Sequence, residues 1–190
     1  MDENETPVAE VSEPAAPPPV TTLKERFKGF ALYHILYSLA FCAFCTLISP
    51  LLAACLLSAG AYLLYSIVPL LCIVGMALYF PLGMRKAKRG RWSVPTGKEL
   101  CLAALLPCLI SVPWVLMLPL LLEVLQLYLL ISAVLAAPSS LFVLFFSLTV
   151  NPTSYLVFDL FALFAAVLPP LLFALGSFCQ AKRQNFSPEG

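Results

Sequence analysis

From Gly29 to Met84 the chain runs for 56 residues without an Asp, Glu, Lys or Arg. The pattern then recurs. A basic stretch occupies Arg85 to Glu99, and 23 uncharged residues follow to Leu122. Glu123 stands alone before 35 more uncharged residues, and Asp159 stands alone before a further 22. A bilayer, not a soluble core, accommodates so much apolar sequence in a short chain, because about 20 apolar residues make one spanning helix. The expected fold class is all-α, a polytopic transmembrane helix bundle.

Composition agrees. Apolar residues are 61% and charged residues 11% of the 190, against about 45–50% and about 25% in soluble domains. The distribution of charge says more than its sum. Residues 1–23 carry five acids and no base, residues 24–28 a net +2, and residues 85–99 six bases and one acid. Residues 1–21 are acidic and Pro-rich, with Pro17, Pro18 and Pro19 in a row. They lack the apolar bulk to offset the entropy of ordering and are expected to be a disordered tail. They also lack the basic start and apolar core of a signal peptide. The domain plan is therefore a tail at 1–21, a helical membrane domain at 22–180 and a short polar tail at 181–190.

Thr22 to Glu25 has capping-box spacing, as does Thr96 to Glu99, and each precedes an apolar run. The 54 residues from Phe30 to Gly83 exceed one span of about 17–25 residues and fit a hairpin. Its turn falls between Ser49-Pro50 and Ser58-Ala59-Gly60, and its second span covers about Ala61 to Pro81. A loop with Arg85, Lys86, Lys88, Arg89 and Arg91 follows. Such clusters stay in the cytoplasm, which also places the N-terminus there. A third span starts near Leu100 and contains Pro107, Pro113 and Pro119, and Pro138 interrupts a fourth ending near Val150. Asn151 to Ser154 reads as a turn, and a fifth span covers Tyr155 to Phe178. Five spans put Lys182 and Arg183 outside, against the positive-inside rule. A re-entrant piece over residues 139–150, or six spans, returns them inside, and the apolar length admits four to six.

Few residues offer chemistry. Glu123 and Asp159 are the only acids within the apolar region. A carboxylate there is costly and is a functional candidate for proton or cation handling. Against this, Glu123 falls where a turn is expected, and Asp159 lies about one turn into its helix, where the dipole favours it. The five bases of residues 85–91 are expected to contact anionic lipid headgroups. Cys42 and Cys45 have redox-motif spacing, but no second pair accompanies them, and all seven cysteines lie in or beside apolar runs, as packing residues do. His34, Tyr79, Trp92 and Phe178 read as interfacial anchors. With Gly60, Gly75 and Gly176 the main glycines of the spans, no GxxxG packing face is expected.

No phosphate-cradling loop, zinc-protease motif or nucleophile elbow is present. The chain is expected to be a small integral membrane protein without catalytic activity, serving as an accessory or scaffold component of a membrane complex. Its partners would be the bilayer, anionic headgroups and other membrane proteins, with no cofactor, no metal and no nucleic acid. The alternative is a small solute transporter or transporter subunit, with Pro-broken helices forming a midplane site.

Overall fold

The computed structural model describes residues 20–59, 61–116, 138–143 and 155–186. Among these residues the chain is helical, with no strand. The long elements are α1 (Leu23–Ala59), α2 (Ala61–Ala77), α3 (Tyr79–Gly90), α4 (Gly97–Leu116) and α5 (Tyr155–Phe186). Residues 138–143 form a further short helical piece. Three stretches are long and apolar enough to cross a membrane: Leu23–Ile48, Ile67–Gly90 and Leu160–Asn185.

Both capping boxes form. The amide of Thr22 donates to Glu25 Oε2 at 2.9 Å, and that of Thr96 donates to Glu99 Oε2 at 2.8 Å. The return bonds, from the Glu amides to the Thr hydroxyls, are each 3.4 Å. These pairs fix where α1 and α4 begin by satisfying amides that have no partner within the helix.

The first hairpin is antiparallel. The Tyr37 hydroxyl donates to the carbonyl of Gly75 at 2.8 Å, and His34 meets Tyr79. α1 continues through Pro50 to Ala59, so no turn falls at Ser49-Pro50, and α2 begins at Ala61; the later expected turn position includes Gly60, which lies outside the described residues. α2 and α3 form one nearly continuous rod, joined at Leu78 by bonds from its amide to Val74 and from the Leu82 amide back to it. Pro81 supplies the reason for the joint: it has no amide to return to the carbonyl of Ala77. α4 stays helical through Pro107 and Pro113.

The stretch 85–91, expected as a loop, is helix as far as Gly90. Arg91 then turns left-handed (φ 45°), its amide donating to Lys88 and that of Trp92 to Ala87. This double bond and the Trp92–Ala87 contact make a Schellman stop, in which Arg occupies the position Gly usually holds. The tail expected over residues 1–21 lies, through residue 19, outside the described residues; Thr21 is buried and bonded to Ser93. At the other end, α5 extends past residue 181 to Phe186.

α5 runs parallel to the α2–α3 rod. Along the rod Met76, Gly83 and Lys88 meet in turn the Ala165 region, Phe173 and Gln184. A Cβ added to Gly83 would collide with the Phe173 carbonyl oxygen, and one added to Gly176 with that of Phe80. Each helix therefore packs a glycine on the other's backbone, the close approach that small residues permit in membranes. The absence of a GxxxG pattern had argued against such a face. The relevant pattern is small residues generally: Gly83 with Ala87 on α3, and Ala162 with Ala166 on α5.

The core has two parts. One joins Phe41, Val68, Cys72 and Met76 to Phe142, Val143, Ala162, Ala165 and Ala166. The buried piece 138–143 is held there by the Ser139 hydroxyl, which donates to the carbonyl of Ala165 at 2.5 Å. The other joins Phe30, Tyr79, Ala87, Trp92 and Phe173.

Candidate functional site: a cationic end of the bundle

The start of α1, the end of α3, the start of α4 and the end of α5 converge. The amide of Thr21 donates to Ser93 Oγ and the amide of Ser93 donates to Thr21 Oγ1, both at 3.0 Å. Arg26 Nη2 donates to the Ser93 carbonyl at 2.6 Å, and the guanidinium lies 5.3 Å over the Trp92 ring. Gln184 Nε2 donates to the carbonyl of Lys88. Lys182 and Arg183 at the end of α5 are therefore neighbours of residues 85–91.

As a result, all eleven Lys and Arg residues of the chain gather at one end. Lys24, Arg26 and Lys28 come from α1, the five bases of residues 85–91 from α3 and its stop, Lys98 from α4, and Lys182 and Arg183 from α5. Arg85, Lys88, Arg89 and Arg91 are exposed. Lys86 is partly covered, its ammonium 5.6 Å from the Tyr33 ring centroid. Arg26 is only 4% exposed, and its Nε and Nη1 have no partner among the described residues. Glu99 is held below the usual carboxylate range, first by the amide of Thr96, then by its hydroxyl, with a smaller pull from Arg26. It is the counter-charge that Arg26 faces across the α1–α4 contact.

Just inside this end lies an aromatic layer. The Tyr79 hydroxyl and His34 Nδ1 share a 2.6 Å hydrogen bond, and His34 stacks on Phe30 with centroids 5.1 Å apart. Tyr79 is fully buried and Trp92 nearly so. Neither is the interfacial anchor that its position in the sequence implied; both are packing residues that lock α3 to α1 and α5.

Asp159 is the fifth residue of α5, at the opposite end from the bases, and its side chain lies outside the described residues. Glu123 lies outside them altogether. Cys42 and Cys45 are partly buried and pack against the core cluster that holds Cys72. No His, Cys, Asp and Glu grouping among the described residues is arranged to hold a metal. Sequence reasoning missed the burial of Arg26 and the Thr21–Ser93 clasp, because both join residues about 70 positions apart. The one local hint was that Ser93 and Trp92 interrupt a stretch otherwise rich in bases.

No protein-family model, curated protein or solved structure matches the chain.

Proposed function

We propose that this is a non-catalytic integral membrane protein, an accessory or scaffold component. In this reading it crosses the bilayer an even number of times and presents its basic end to anionic headgroups on the cytoplasmic side. The observation that carries the reading is the collection of every Lys and Arg at one end of an otherwise apolar bundle. Such a charge distribution anchors and orients a protein at one face of a membrane. Described α4 ends at Leu116 and α5 begins at Tyr155, both away from the bases. The contacts with headgroups fall to Arg85, Lys88, Arg89 and Arg91, with Lys86 more enclosed.

The competing transport reading rests on Asp159 and Glu123. Proteoliposomes loaded with a pH-sensitive dye and given a potassium-diffusion potential separate the two. The scaffold reading expects the same proton leak with wild-type protein, Asp159→Asn protein and no protein. A leak that appears with the wild type and vanishes in Asp159→Asn overturns it.

A further inference from the structure

We propose that the outward stripe of α3 seats one anionic glycerophospholipid, its phosphate between Arg85 and Lys88 and one acyl chain along Leu78, Pro81 and Leu82. This rests on the reading that the basic end lies at headgroup level, and it names one ligand and one groove within that end.

Leu78, then Pro81 and Leu82, then Arg85 and then Lys88 succeed one another a helical turn apart, at three- and four-residue spacings, so they share a face. The opposite stripe, Tyr79, Gly83 and Ala87, is buried against α1 and α5. The outward face borders a groove of about 570 Å³ whose walls are mostly apolar and which reaches Gln180 of α5. Its polar residues, Arg85, Lys88 and Gln180, belong to the charged end. Leu78, Pro81, Leu82 and Met84 belong to the stretch Ile67–Gly90, which is long and apolar enough to span, and Tyr37 of α1 adds a further wall.

Length decides between a lipid and a free anion. From Leu78 to Lys88 the helix rises roughly 15 Å at 1.5 Å per residue. That is about half of the roughly 30 Å hydrocarbon core, the depth of one leaflet. A free phosphate would use the two cations and leave the apolar floor empty. A phospholipid uses both, with the Gln180 amide as a further donor to headgroup oxygens. Arg85 offers a planar fork suited to two phosphate oxygens, and Lys88 a point charge beside it.

The test is native mass spectrometry of the full chain in detergent, titrated with phosphatidylglycerol, with phosphatidylcholine of the same chains, and with glycerol 3-phosphate. The wild type should retain one phosphatidylglycerol in preference to phosphatidylcholine, and no glycerol 3-phosphate. Arg85→Gln with Lys88→Gln should weaken that retention about tenfold or more, as expected for two headgroup-level bases. Leu78→Trp, which fills the floor without touching a charge, should weaken it as well. Lys24→Gln with Lys98→Gln removes the same charge from the same end outside the groove and should leave retention unchanged. If both double variants lose lipid equally and Leu78→Trp loses none, the groove is refuted while the basic end remains a diffuse headgroup surface. Equal retention of the two lipids by the wild type refutes both readings. Should the Arg85/Lys88 variant fail to fold, Leu78→Trp decides alone: undiminished retention overturns the groove.

Discussion

Two single residues show how local chemistry sets the ends of these helices. Arg91 sits at φ 45°, a conformation that costs a side-chain-bearing residue about 1–2 kcal/mol. The Schellman bonds around it hold regardless of the side chain. Arg91→Gly should therefore raise stability by up to about 1 kcal/mol, part of the relief being lost to the freer unfolded chain; a thermal melt of the purified protein checks it. A lower melting temperature would show that the Arg91 side chain itself matters. Glu99 gives a dependence on pH. Its carboxyl is held below its ordinary value in the folded protein, so the unfolded state takes up the proton first on acidification. The contribution of the Thr96–Glu99 cap is thus complete above the ordinary carboxylate range and is lost as pH falls through the lowered value. The difference in melting temperature between wild type and Glu99→Gln should be constant near neutrality and shrink below about pH 4.5, the ordinary glutamate value.

Among the elements, the closest contact is the one between α3 and α5. Gly83→Ala or Gly176→Ala would push a methyl into a backbone carbonyl, which cannot yield as a flexible side chain does. Each should cost about 1–3 kcal/mol, the usual range for overpacking. Gly97→Ala, in the first turn of α4 with open space around its Cβ, should be neutral or stabilising. Equal melting temperatures for Gly83→Ala and Gly97→Ala would show that the two helices are not in backbone contact. Much at this scale was legible in the sequence. The capping boxes named the starts of α1 and α4, and the length of apolar sequence required the first hairpin. What was not legible depended on partners distant in the chain. The bases of residues 85–90 read as a loop because charge marks the end of a span; that they continue the helix follows from Tyr79, Gly83 and Ala87 packing on α1 and α5. For the same reason Trp92 read as an anchor: its exposure is decided by Gly29 and Arg26, more than 60 residues earlier.

For the molecule as a whole, the parallel course of α3 and α5 makes a claim about sidedness. Reporters fused before Met1 and after Gly190 should both register the same side of the membrane, and Ser93→Cys should react only with thiol reagents that cross it. Opposite signs from the two fusions would show an odd number of crossings. The positive-inside rule favours the same side from Lys182 and Arg183 alone, and the hydrogen bond between Gln184 and Lys88 places the ends of α3 and α5 side by side. The gathering of bases also bears on how firmly the protein keeps its orientation once inserted. Against eleven bases the described part of that end has only Glu25 and Glu99, a net charge of nine. In an energised membrane, negative inside, each elementary charge moved outward works against about 2.3 kcal/mol per 100 mV. Inverting the bundle would oppose roughly 20 kcal/mol of electrical work at that potential, before any base is dehydrated on the way through. With the basic end on the negative side, the transmembrane voltage would thus oppose any inversion of the molecule.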